Sequence, residues 1–135
     1  SKEKKFKLDK LETYKKFKNK IDYHGKVLNQ FLEKNKDKHI VAKAFPARAA
    51  VIIHYYSFLK KYVKYIAEQK TSLKLNKYVA GTNLKIINST QMQKYKPDIV
   101  IILAWHLFDP IFSKWIKKGL KKTKFIKPLP NLLIK

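Results

Sequence analysis

The sequence predicts an α/β three-layer sandwich, in which helices cover both faces of a mainly parallel sheet of about five strands. Residues 99–103 form an unbroken run of branched aliphatic residues, which is typical of a strand buried on both faces. Stretches of strand and helix character alternate along the rest of the chain. Before the first strand, apolar residues recur at helical spacing and predict a long amphipathic helix.

Charge is the strongest feature of the composition. The chain carries a formal net charge of +23 over 135 residues, and such a charge attracts polyanions such as nucleic acids. Arg48 is the single arginine among the 32 basic residues, whereas proteins that read nucleic-acid sequence use the planar fork of arginine. Lysines spread along the whole chain therefore favour a solvated surface, with a nucleic-acid-binding module as the alternative.

Length and the lack of cysteine limit the class of protein. A chain of 135 residues is long enough for one domain with its own core, and without cysteine it has no disulfides or thiolate metal sites. The sequence contains no apolar run of the about 20 residues that cross a membrane and no signal-peptide core. It begins with Ser1 rather than Met. We therefore expect a cytoplasmic protein that is processed or excised from a longer chain.

The amino-terminal part is expected to hold a disordered basic lead at residues 1–7, followed by a single domain at residues 8–135. From Leu8 to about Asn35 the apolar positions follow one helical face. The simplest role of this helix is to cover one face of the sheet. Docking on a partner is an alternative, and so is lying on a membrane surface, since basic amphipathic helices bind lipid.

The first strand and the helix after it stand where a dinucleotide-binding domain carries a glycine-rich phosphate loop. Residues 39–44 predict the strand, Phe45 and Pro46 end it, and residues 47–59 predict the helix. This segment holds no glycine, and alanine keeps the backbone further from a phosphate. Arg48, in the first helical turn, could still bind a phosphate or a carboxylate.

The remaining elements are predicted from apolar runs and capping residues. In a dinucleotide-binding domain an acidic residue at the end of the second strand holds the ribose hydroxyls, and Glu68 stands near that place, although a surface ion pair is its commoner role. After the central strand, Asp109 is expected to cap a helix that starts at Pro110 and ends near Gly119. The other strands are predicted at residues 62–67, 84–87 and 124–127, with a short helix that Asn88 or Ser89 caps and that ends at Tyr95.

Trp105 and His106 follow the central strand at its carboxyl end, where ligands bind in open α/β sheets. Trp105 could stack on a sugar or a base, or it could pack between helix and sheet. His106 could donate to a ligand or act as a base, or serve only in a loop. The histidines show no metal-ligand spacing, so no metal site is predicted.

Four segments carry a family resemblance: FPARAAVIIHYY, SLKLNKYVAGT, KPDIVIILAWHLFDPI and FIKPLP. They resemble the carboxyl-terminal domain of the S-adenosylmethionine-dependent sugar C-methyltransferases, which act on nucleotide-linked deoxysugars. The corresponding family motifs read roughly GYGAPAKGNTLLNY, DRNPLKQGRYxPGT, KPDxVLxLxWN and a closing PLP. The likeness covers nearly the whole chain from about Leu11 onward, and its most specific part is the third segment.

The resemblance implies a Rossmann-like domain of a three-part enzyme, preceded by a zinc-binding segment and a central methyltransferase domain. In that family the central domain binds S-adenosylmethionine and carries the catalytic base, so this chain is expected to hold no cofactor and no catalytic residue. The carboxyl-terminal domain closes over the nucleotide sugar. The resemblance therefore implies a domain that binds or caps a nucleotide sugar and docks on a methyltransferase domain, in the same polypeptide or in another.

The motifs are only partly kept. The glycines of the first motif fall on Ala42, Ala44 and Ala49 and its lysine on Arg48. The asparagine of the third falls on His106, beside the retained Trp105. A degenerate or repurposed domain, and a freestanding enzyme that uses His106, are further hypotheses. The predicted substrate-binding residues are Arg48, Lys74, Tyr78, Trp105 and His106.

Overall fold

Six strands form one sheet in the computed structural model, which describes residues 1–46 and 49–135. The strands are β1 (Ile40–Lys43), β2 (Ile66–Glu68), β3 (Ile86–Asn88), β4 (Ile99–Ile102), β5 (Lys124–Lys127) and β6 (Leu133–Ile134). The helices are α1 (Lys2–Lys34), α2 (Ala49–Tyr55), α3 (Leu59–Tyr62), α4 (Thr90–Tyr95) and α5 (Phe108–Lys117), and a 3₁₀ turn covers Trp105–Leu107.

The strand order is β3-β2-β1-β4-β5-β6, and every neighbouring pair is parallel except β5 and β6. The chain first winds to one side of β1, through β2 and β3, and then returns to place β4 and β5 on the other side. The winding therefore reverses between β1 and β4, which makes this pair the topological switch point of the sheet. This order confirms the predicted Rossmann-like fold. The sixth strand, β6, comes from the carboxyl-terminal tail, where no strand was predicted from the sequence.

Helices cover both faces of the sheet, and the strand residues alternate between two apolar clusters. In β4, Ile99 and Ile101 belong to the cluster under α1, α2 and α3. Val100 and Ile102 belong to the cluster under α4 and α5. All four side chains are buried, as the run without alternation predicts for a strand covered on both sides.

Helix α1 is the longest element, with 33 residues and a length of about 50 Å at the helical rise. It begins at Lys2, inside the stretch expected to be a disordered lead. The Ser1 hydroxyl accepts a hydrogen bond from the Lys4 amide, and Glu3 stands in the first turn, where an acid interacts favourably with the helix dipole. Only the part near Leu28 and Leu32 is buried, so most of α1 is exposed to solvent.

Several predicted boundaries differ from the structure: the helix expected at residues 47–59 ends at Tyr55 as α2, and the strand expected at residues 84–87 is β3 at Ile86–Asn88. Two further differences have a visible cause. Residues 62–67 were expected to form one strand, but α3 continues to Tyr62 and β2 begins at Ile66. The hydroxyl of Tyr62 donates a hydrogen bond to Glu33 of α1, a tertiary contact that local sequence does not reveal. The predicted cap Asp109 lies within the first turn of α5 instead, because the preceding 3₁₀ turn continues directly into the helix.

Candidate functional site

A pocket of about 560 Å³ opens at the carboxyl ends of β1, β2 and β4. Lys43 ends β1, Glu68 ends β2, and Ala104 follows β4. The volume lies within the range of about 300–1,000 Å³ that is common for small-molecule sites. Because this position is the one where open α/β sheets bind their ligands, we call it the switch-point pocket.

Positive charge dominates the described lining of the switch-point pocket. Its charged members are Lys43, Lys74 and Lys114, with Glu68 as the acid among them, and His106 adds a titratable ring. They come from two strands, a loop, the 3₁₀ turn and α5. Such a concentration of cations in a concave site attracts anions and raises their local concentration.

Lys43 lies at the floor of this pocket and is only 5% exposed. In the sheet it stands beside Ala67 of β2 and Ile102 of β4. Its pKa is lowered to about 8, chiefly by burial, with attraction to Glu68 opposing the shift and repulsion from Lys114 and Lys118 adding to it. Among the described residues, no carboxylate forms an ion pair with Lys43. Its ammonium group is therefore a buried cation that faces a cavity.

Lys74 joins two loops at this pocket. Its ammonium group donates a hydrogen bond to the carbonyl oxygen of Phe45 and lies 5.6 Å from the centre of the Phe45 ring. Lys74 lies in the loop that follows β2, and Phe45 lies in the loop that follows β1. Lys74 therefore both lines the pocket and holds one side of it in shape.

Trp105 and His106 are chain neighbours that each line a different large cavity and together line a small one. His106 is exposed and lines the switch-point pocket. Trp105 is half-buried and lines an apolar groove of about 400 Å³ between α1 and α2, together with Leu129. Both side chains also line a third cavity of about 270 Å³, together with Phe108, Asp109, Lys127 and Pro130. The pair therefore meets there, whereas only His106 is among the described lining of the switch-point pocket.

The last two predicted residues lie elsewhere. Tyr78 is 61% exposed and its backbone forms a bridge with Lys85, and it is not among the described residues that line the pocket. Arg48 falls outside the described residues. Of the five predicted residues, the structure brings Lys74 and His106 into one pocket, and their role there stays a prediction.

Comparison with known protein families shows which family this domain belongs to. The profile of the C-methyltransferase C-terminal domain matches residues 1–130. The chain belongs to this family. The match confirms the resemblance drawn from the four segments, and it spans both α1 and the switch-point pocket. No curated protein matches the chain.

Sequence reasoning missed Lys43 and Lys114 in this C-methyltransferase C-terminal domain. Lys43 did carry a signal, because it is the charged residue in the apolar stretch IVAK at the end of the first strand. A lysine at the carboxyl end of a buried parallel strand points into the region of the switch point. Lys114, on an amphipathic helix rich in lysine, carried no such signal.

The described part of this domain contains neither a candidate metal site nor a candidate membrane-spanning helix. No group of three His, Asp or Glu among these residues stands close enough to hold a metal ion. None of the described helices combines the length and the apolarity needed to cross a membrane.

Proposed function

We propose that this chain is the substrate-side domain of a sugar C-methyltransferase-like protein. It binds or caps a nucleotide sugar in the switch-point pocket and leaves methyl transfer to a separate domain that binds S-adenosylmethionine. The observation that carries the proposal is the group of three lysines at the switch point of the sheet. Family membership supports the association with a methyltransferase.

The charges of the pocket match the parts of a nucleotide sugar. Lys43, Lys74 and Lys114 provide cations for the diphosphate, which lysine binds as a point charge. Glu68, at the end of β2, accepts hydrogen bonds from ribose hydroxyls, as acids at that position do in nucleotide-binding sheets. His106, at the exposed rim, hydrogen bonds to the sugar.

Docking on the methyltransferase domain uses the free part of α1. Phe6, Tyr14 and Phe17 are 68%, 61% and 54% exposed. Their spacing puts them on the helical face that Leu28 and Leu32 bury further along. Exposed apolar surface of this extent marks an interaction site. The groove between α1 and α2 continues it, since Tyr14 and Phe17 also line that groove.

Calorimetric titration with deoxythymidine diphosphate glucose, at moderate salt, tests the substrate part of this proposal. We expect saturable binding of the sugar nucleotide and no heat from S-adenosylmethionine. Lys74→Met should weaken binding, because it removes a cation from the pocket. Lys77→Met is the matched control, since Lys77 is an exposed lysine of the same loop outside the described lining. Arg48→Ala and Trp105→Ala extend the same test to two predicted residues.

The net charge of +23 favours a second candidate, a polyanion-binding module. Affinity for nucleic acid that falls steeply with salt, together with indifference to the sugar nucleotide, would identify that function. Equal effects of Lys74→Met and Lys77→Met would also favour it, because a diffuse surface does not distinguish two loop lysines. Either result would refute binding in the switch-point pocket.

Sedimentation of the chain mixed with a sugar C-methyltransferase domain tests the docking part. Phe17→Lys should abolish co-sedimentation, because it places a charge in the apolar face of α1. Leu8→Lys is the control: Leu8 is also exposed, and although it was predicted from the sequence to belong to the apolar face, helical geometry puts it on nearly the opposite side of α1 from Phe17. Equal loss with both variants would contradict docking through this face.

A further inference from the structure

Lys43 is buried to a degree that is unusual for a lysine. Its neighbours in the adjacent strands are Ala67 and Ile102, and 5% of its surface is exposed. Lysine is almost never buried to this degree unless it is paired. Among the described residues it has no ion pair, so folding alone leaves this ammonium group without a direct counter-ion.

The groups that face Lys43 make a bound anion more favourable still. Glu68 attracts it from the end of β2, while Lys114 and Lys118 repel it from α5. Lys74 and His106 line the same pocket from the loop after β2 and from the 3₁₀ turn. Cations thus outnumber the single acid around Lys43, and an anion in the pocket would relieve both the repulsion and the lost hydration.

We infer that Lys43 anchors the phosphate groups of the ligand at the floor of the switch-point pocket and that this anion is its missing counter-ion. The inference rests on the proposed function, in which the anion is the diphosphate of a nucleotide sugar; free pyrophosphate offers the same chemistry. An anion close to Lys43 favours its charged form. Since the pKa of Lys43 is about 8 without ligand, binding near that pH should take up a proton.

The inference also predicts that removing the charge of Lys43 weakens anion binding and raises the stability of the ligand-free domain. A buried cation kept for a ligand costs stability in the free domain, and such trade-offs are common at functional sites. Lys43→Met keeps the length of the side chain and removes the charge. It should therefore weaken anion binding and raise the melting temperature of the ligand-free domain.

The experiment compares wild type, Lys43→Met and Lys124→Met by calorimetric titration with deoxythymidine diphosphate glucose and, separately, with pyrophosphate. Lys124 is an exposed lysine at the opposite end of the sheet, on β5, and serves as the matched control. We expect Lys43→Met to bind the sugar nucleotide about tenfold to a hundredfold more weakly, as for loss of a charged hydrogen bond. Lys124→Met should bind as wild type does.

Titrating the sugar nucleotide in two buffers of different ionisation enthalpy measures proton uptake, because its diphosphate does not titrate near pH 8. Wild type should take up protons there and Lys43→Met should not. Thermal unfolding of the ligand-free proteins completes the set, with Lys43→Met melting above wild type.

Each outcome separates the inference from the proposed function. Normal affinity of Lys43→Met for the sugar nucleotide would overturn the inference and leave the proposed function standing. Pyrophosphate binding that depends on Lys43, without any binding of the sugar nucleotide, would support the anchor and refute the nucleotide-sugar proposal. A Lys43→Met domain that melts below wild type would overturn the inference alone, whereas a wild type that binds neither probe would overturn both the inference and the proposed function.

Discussion

The stability of the domain should depend on pH through Lys43. The pKa of this side chain falls from 10.5 to about 8 on folding because the ammonium group is buried. At 1.36 kcal/mol for each tenfold change in the ionisation constant, this difference corresponds to about 3 kcal/mol. Against a total stability of about 5–15 kcal/mol for a typical domain, one buried lysine is a large cost.

The sign follows from which state holds the proton. Between pH 8 and pH 10.5 the unfolded chain keeps a proton on Lys43 that the folded domain has released, so stability rises with pH over this window. Below about pH 8 both states are protonated and the full cost is present. Methionine does not titrate and carries no charge, so Lys43→Met avoids this cost and should be more stable than wild type at neutral pH, by up to about 3 kcal/mol.

Urea unfolding of wild type and Lys43→Met at several pH values between neutral and strongly alkaline measures this contribution. The other lysines are the same in both proteins, so the difference between the two curves reports on position 43. We expect the advantage of Lys43→Met to shrink as the pH passes from about 8 to 10.5. A difference that does not change with pH, or a less stable variant, would refute the argument that burial strains the charged form.

Three further predictions concern the contacts that hold the elements together. Gly25→Ala should lower stability, because the new Cβ would lie 2.5 Å from the Tyr56 ring. The overpacking costs about 1–3 kcal/mol, which outweighs the about 1 kcal/mol that alanine gains in helix propensity. A higher urea midpoint for the variant would contradict this. Thr123→Val should cost about 1–2 kcal/mol, since the buried Thr123 hydroxyl donates to the Pro97 carbonyl oxygen at 2.6 Å, and unchanged unfolding relative to Thr123→Ser would disprove it. Burial and the charge of Lys64 hold the pKa of His39 below 6.5. The unfolded chain therefore takes up a proton first as the pH falls through 6.5, and His39→Gln should reduce the loss of stability between pH 7 and pH 5; identical acid titrations would rule this out.

Elements defined by local patterns could be predicted well. The unbroken apolar run at residues 99–103 predicted a central buried strand, and β4 occupies Ile99–Ile102. The strand predicted at residues 124–127 is β5, with the same bounds. Gly119 was expected to end the helix after β4, and it adopts a positive φ just beyond α5, a conformation that glycine allows without strain. In each case the information lies within a few residues of the element.

Elements whose boundaries depend on distant contacts were predicted less well. The strand expected at residues 62–67 is divided, because Tyr62 ends α3 and bonds to Glu33 on α1. The tail became a sixth strand because β5 leaves an open edge, and Phe125 and Lys135 exchange backbone hydrogen bonds across it. Both outcomes depend on where other parts of the chain lie.

By itself the sequence determined the α/β class, the parallel sheet, the long first helix and the family, because periodicity, capping residues and motifs are local properties. Only the tertiary structure decided the site. Residues 43, 68, 74, 106 and 114 are far apart in the chain and meet because β1 and β4 are neighbours at the switch point. The same packing places His106 but not Trp105 in the described lining of the switch-point pocket and buries Lys43. The environment of a charged side chain depends on what surrounds it in space, and that is set by the order of strands in the sheet.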